Sequence, residues 1–182
     1  MEPQVLVDLL SLTLQDIDLY GRPATESEIA VISPWLSDVE LSLHPSGRHA
    51  RLGTTRDATT LRFGECLRRL AQRGCPVRIG VLKYGASFAG LVKNSQQFAR
   101  ERAVLTALLQ AGAQVFLCPN MHAKGIVTPL GVITGTTNYT HSGLHLQTQN
   151  VNYFPFDHPD FAKNRAQLYA NLQPQFRVAA LP

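Results

Sequence analysis

No stretch of this sequence stays apolar for the ~18 residues that a membrane-crossing helix requires, and its first residues lack a basic cluster followed by an apolar core. Neither a membrane span nor an export signal is expected, so the chain is read as cytoplasmic. Cysteine is scarce: Cys66, Cys75 and Cys118 form an odd, scattered set without C-x-x-C spacing. That excludes a disulfide scaffold, argues against structural zinc, and leaves reduced thiols in a core. Internal repeats, low-complexity tracts and long linkers are missing too. Residues 1–182 are therefore read as a single domain, with 45% hydrophobic residues to fill one core.

A large excess of one charge sign is also absent, the formal net charge being +4, but the charges are unevenly spread. Nine Lys/Arg lie between Arg48 and Lys83 against Asp57 and Glu65, which gives this segment +7 and leaves −3 for the rest. Such a concentration can attract a polyanion. The plainer reading is the solvated face of a helix with scattered loop charges.

Apolar spacing divides the chain into alternating elements. Val5 to Leu14 reads as a helix, with a strand as the alternative, and Ile29-Ala30-Val31-Ile32-Ser33-Pro34 as a buried strand ending at proline. Residues 44–57, with Pro45, Gly47 and Gly53, read as a loop. From Thr59 to Arg73, the residues Phe63, Cys66, Leu67, Leu70 and Ala71 recur at helical spacing, and Gly74 and Pro76 stop the helix. There follow a strand at 77–82, a glycine-flanked loop from Tyr84 to Gly90 suited to shaping a substrate site, and a helix starting at Asn94 or Ser95. Strands at 115–117, 122–127 and 131–135, another from Asn150 to Phe154, and a helix from His158 onward complete the series. This alternation predicts an α/β layer fold with helices packed on a central sheet.

The most informative residues are His122-Ala123-Lys124, followed after a short apolar stretch by Gly135-Thr136-Thr137-Asn138. On a strand, His122 and Lys124 would project from one face, and a hairpin would return Asn138 to them. A neutral imidazole is a nucleophile near neutral pH, a lysine supplies fixed positive charge, and a carboxamide donates hydrogen bonds to a developing oxyanion. That set suits attack on a phosphodiester, with a phosphohistidine as the covalent product. No metal or other cofactor is called for, because the lysine and amide donors neutralise the charge that a metal would otherwise neutralise.

These residues resemble the signature of the phospholipase D superfamily: H-x-K, an apolar hairpin, then G-S-x-N. Pro119-Asn120-Met121 before the histidine, and Tyr139-Thr140-His141-Ser142-Gly143-Leu144 after the asparagine, extend the resemblance through the family's N-x-T-x-x-G-L continuation. It implies a mixed central β-sheet flanked by helices on both faces, with His122, Lys124 and Asn138 catalytic and Thr136 on the phosphate. Three positions depart from the family pattern. Pro129 stands where an aspartate is usual, in a hairpin one residue shorter, and Thr136 replaces the serine while keeping its hydroxyl. Gln149, eleven residues after Asn138, replaces a glutamate that hydrogen-bonds the histidine. A glutamine carbonyl can still orient the imidazole, but it brings no charge to stabilise an imidazolium.

A second H-x-K is missing, since His44, His49, His141, His145 and His158 all lack a lysine two residues later. The resemblance to single-motif members implies a homodimer in which each chain gives one histidine to a shared site. The expected activity is that of a metal-independent phosphodiesterase, a nuclease acting on DNA more readily than RNA, and small family members also suggest phage-defence partner proteins. Two alternatives stand beside it. One is a nucleic-acid-binding dimer whose catalytic site has decayed, with Gln149 as the sign. The other is phospholipid hydrolysis, disfavoured by the missing second motif and the lack of a membrane-anchoring helix. Trp35 and Phe88 could stack a base, and His141 and His145 could touch substrate, although core packing and loop exposure account for them more simply.

Overall fold

The computed structural model of the chain describes residues 3–43, 59–88, 91–92, 95–146 and 150–182. Helix α1 (Pro3–Tyr20) precedes strand β1 (Ile29–Ile32), and β2 (Glu40–Ser42) pairs with β3 (Thr60–Arg62) as a ribbon. Helix α2 (Phe63–Gln72) leads to β4 (Val77–Leu82), β5 (Ser87–Phe88) pairs with β6 (Leu91–Val92), and α3 (Ser95–Gln110) leads to β7 (Gln114–Cys118). The hairpin β8 (Gly125–Thr128) and β9 (Gly131–Gly135) is followed by β10 (Val151–Pro155), α4 (Phe161–Tyr169) and β11 (Arg177–Val178).

Seven strands form one mixed sheet in the order β10-β9-β8-β1-β4-β7-β11. Strands β1, β4 and β7 are parallel neighbours, with α2 and α3 in their connections. Strand β8 runs antiparallel to β1 and begins the β8-β9-β10 meander, while β11 closes the opposite edge antiparallel to β7. Residues of β1 alternate between two apolar cores, as the period of a strand requires. Ile29 and Val31 join Ile79, Val81, Val115 and Leu117 beneath Leu6 and Leu10 of α1, Leu67 of α2 and Leu105 of α3. Ala30 and Ile32 join Leu82, Phe116 and Val132 against Leu168 of α4 and Leu172 just after it. All four β1 residues are fully buried, which explains why this strand reads as an unbroken apolar run. The expected mixed sheet with helices on both faces is what the chain forms.

Several boundaries differ from the sequence reading. Helix α2 begins at Phe63 rather than Thr59, because Thr60–Arg62 pairs with β2 and the facing residues Leu41 and Leu61 are both buried. Strand β8 begins at Gly125 rather than at 122: its neighbour β1 ends at Ile32, paired with Gly125, and Pro34 has no N–H to extend that ladder. Part of the Tyr84–Gly90 loop is strand, since Ser87 and Phe88 pair with β6. Residues 44–57, expected as a loop, lie outside the described residues, as does Asn94. All three cysteines are free and buried, and burial pushes the Cys66 thiol up to about 12 and that of Cys118 to about 11.

Folding also neutralises most of the basic segment that is described. Arg68 and Arg69 grip Glu65 within α2 at 2.7 and 3.0 Å, Arg73 reaches Asp18 at 2.8 Å, and Arg78 reaches Glu28 at 2.7 Å. Arg62 lies 3.9 Å from Asp38. Acids from other parts of the chain thus offset the local +7, and the plainer reading of the segment holds for these five arginines. Arg48, Arg51 and Arg56 lie outside the described residues.

Candidate active site

The C-terminal ends of β1, β4 and β7 share one edge of the sheet, where β8 begins and β9 ends. Open α/β sheets place ligands at that edge. His122 and Lys124 stand just before β8, and Thr136 and Asn138 just after β9, so the hairpin brings all four to the same place. Gln149 lies outside the described residues.

The hairpin closes without the family's aspartate. Thr128 takes over the turn: its hydroxyl accepts from Leu130 N and donates to the Gly131 carbonyl, each at 3.2 Å, around Pro129-Leu130. Past the paired strands, Gly135 N donates to the Lys124 carbonyl at 3.3 Å, which fixes the lysine against the glycine of the second motif. Thr136 N then donates to Asn150 O at 3.0 Å, and Asn150 N donates to Thr136 Oγ1 at 3.2 Å. A Cβ at Gly135 would stand 2.1 Å from Asn150 O, so the motif's glycine is what admits this approach.

Lys124 and His122 differ in depth. The imidazole is exposed, whereas Lys124 is buried, and its Nζ donates to the His122 carbonyl at 2.8 Å. No other Lys or Arg among the described residues is buried. Desolvation holds the Lys124 pKa below its ordinary value. An ammonium in that setting is primed to accept an anion as its counter-charge.

Asn138 is half-buried, and its side-chain Oδ1 is enclosed without a hydrogen-bond partner. Its main chain is pinned through the next residue. Tyr139 N donates to Ser33 Oγ at 3.1 Å, Ser37 N donates to Tyr139 O at 2.9 Å, and the buried Tyr139 ring stacks on Phe63 at 5.6 Å. Leu36, bridged to Tyr139, donates its N–H at 2.8 Å to the buried Glu101 carboxylate on α3. Beyond Tyr139, Thr140 Oγ1 accepts from Gly143 N at 3.2 Å and caps the helical turn Ser142–Leu146. A Cβ on Gly143 would stand 2.3 Å from Asn138 O, and Leu144 is buried in the core. The T-x-x-G-L continuation is therefore a device that holds Asn138: a cap, a close approach and an anchor.

Ser33 and Glu101 escaped the sequence reading. A hydroxyl ending an apolar run just before Pro34 was one available signal, and an acid in helical register with Leu105 and Leu108 was the other.

A mixed sheet covered on both faces, with H-x-K ahead of one hairpin strand and G-T-x-N behind its mate, defines a phospholipase D-like fold. Among solved structures the chain is similar to the phospholipase D family member Nuc from Salmonella typhimurium, with 15% identity, 92% of this chain and 87% of that chain covered, and a TM-score of 0.54. It is also similar to NucT from Helicobacter pylori, with 11% identity, 97% and 91% coverage and a TM-score of 0.50. No protein-family model and no curated protein matches the sequence, so the likeness lies in the fold. Among the described residues no helix is long and apolar enough to cross a membrane.

Proposed function

We propose that the chain is a metal-independent phosphodiesterase that cleaves nucleic acid, DNA in preference to RNA, through a phosphohistidine. The observation that carries this reading is the buried ammonium of Lys124, bonded to the carbonyl of an exposed histidine at 2.8 Å. Enclosing a cation against a neutral carbonyl is costly, and a bound phosphate relieves that cost. Asn138 and Thr136 on the same edge add an amide and a hydroxyl to the phosphate, and Gln149 orients the imidazole.

In the proposed reaction a ring nitrogen of His122 attacks phosphorus. The bond from phosphorus to the leaving sugar oxygen breaks, and that oxygen takes a proton from the partner's His122. Water then attacks phosphorus and gives its proton to that second imidazole as the phosphorus–nitrogen bond breaks, returning both histidines to their starting forms. The two roles require two imidazoles with separated titrations, which a pair facing one phosphate acquires by mutual repulsion. One H-x-K per chain makes a homodimer the way to supply them. A cytoplasmic role beside phage-defence partner proteins belongs to the same proposal and rests on the sequence resemblance.

The test is cleavage of single- and double-stranded DNA and RNA by the purified chain in EDTA, with His122→Ala as control. Cleavage in EDTA that the variant loses supports the reading. Salt-sensitive binding without cleavage by the wild type would instead indicate a protein that only binds nucleic acid.

A further inference from the structure

Beside Asn138 a polar cavity of about 420 Å³ opens between the segment after β1, helix α3 and the turn after β9. Trp35, Arg100, Glu101, Asn138 and His141 are among the residues that line it. Two of them carry buried polar atoms that folding leaves unpaired: Trp35 Nε1, a donor, and Asn138 Oδ1, an acceptor. Leaving such atoms without partners costs about 1–3 kcal/mol each, and native proteins do so sparingly. The cavity also holds Glu101, the one buried carboxylate among the described residues. A carboxylate opposes a second phosphate and favours hydrogen-bond donors.

We infer that this cavity receives the nucleobase adjoining the scissile phosphate, and that it favours bases with an exocyclic amino group. The inference rests on the phosphodiesterase reading of the neighbouring edge and names part of its substrate. A planar heteroaromatic ring offers a ring acceptor to the indole N–H and an amino donor to the Asn138 carbonyl, pairing both orphaned atoms at once. A cavity of this size falls within the range of small-molecule sites. Thymine and uracil lack the amino group, so they leave the Asn138 oxygen unpaired beside Glu101. His141, exposed at the rim and stacked on His145 with centroids 5.1 Å apart, is placed to cover the ring.

Trp35 is the chain's single tryptophan, so its emission reports the cavity directly. Adenosine monophosphate, thymidine monophosphate, ribose 5-phosphate and inorganic phosphate are titrated into the full chain and into the His122→Ala variant. The expected result is a saturable emission change with adenosine monophosphate, about tenfold weaker affinity for thymidine monophosphate from one missing hydrogen bond, and no change with ribose 5-phosphate or phosphate. His122→Ala should behave as the wild type, because the cavity does not depend on the nucleophile. An equal response to ribose 5-phosphate would overturn the inference, as would silence toward every nucleotide in a chain that still cleaves DNA. Nucleotide binding in a chain that cuts no polymer would uphold the cavity and defeat the nuclease reading.

Discussion

Replacing Gly143 by alanine asks whether Asn138 is held in place by the turn that follows it. The added Cβ would lie 2.3 Å from the Asn138 carbonyl oxygen and 3.2 Å from its carbonyl carbon, where ordinary contacts begin at 3.4 Å. The obstructing atoms are backbone and cannot swing aside as a side chain would. Either the turn or the Asn138 peptide must retreat by roughly 1 Å, a displacement that can cost about a hundredfold in rate when it reaches a catalytic group. The turn has little room to move, because Leu144 is buried and Thr140 caps it from the other side. Overpacking of this kind costs about 1–3 kcal/mol, and in a chain of this length each kcal/mol lowers the melting temperature by about 2–4 °C. The assay is single-turnover cleavage in EDTA beside thermal unfolding of the same preparation. A variant that melts earlier yet cleaves at the wild-type rate would refute the idea that this turn positions Asn138.

Lys124→Met keeps the buried stem and removes the charge, so it should abolish phosphate-dependent cleavage by about 10²–10³-fold while chemical denaturation finds the fold no less stable. Because burial lowers the Lys124 pKa in the folded chain, the unfolded chain binds more protons as pH rises from that lowered value to the ordinary lysine value, and stability should increase across this window. Below the window the full cost of the buried charge remains, so Lys124→Met should flatten this part of the stability profile measured by denaturant titration. Arg73→Ala removes a partly exposed ion pair with Asp18 and should change stability by less than about 1 kcal/mol, leaving DNA binding unaltered in a salt-dependent filter or anisotropy assay. With their pKa values raised by burial, Cys66 and Cys118 should resist alkylation at neutral pH in the native chain and react once it is unfolded, as counted by intact mass.

The central strands were legible because burial on both faces leaves an unbroken apolar run in β1 and a nearly unbroken one in β4. The α2 stripe was legible from its spacing, but its first residues were misread, since Thr60-Leu61-Arg62 satisfies either period over so short a span and only the pairing with β2 decides it. The two motifs announced the sheet edge, and the hairpin does bring them together. What the sequence could not convey was depth: His122 and Lys124 are two residues apart, yet one is exposed and the other buried. Nor could spacing reveal that Arg68, Arg69, Arg73 and Arg78 would each find an acid, because two of the three carboxylates come from distant segments. The clamp on Tyr139 was hidden for the same reason, as Ser33 lies 106 residues away in the chain.

That clamp bears on how the molecule would fail. Tyr139 is bonded on both sides of its peptide, stacked on Phe63 and joined through Leu36 to Glu101 of α3, so the residue after Asn138 is tied to a central strand, two helices and the core between them. Loosening it by local fraying would require those elements to part together. The amide protons of Ser37 and Tyr139 should therefore exchange with solvent as slowly as those of β1 and β4, and activity should vanish on heating with the sheet itself rather than before it.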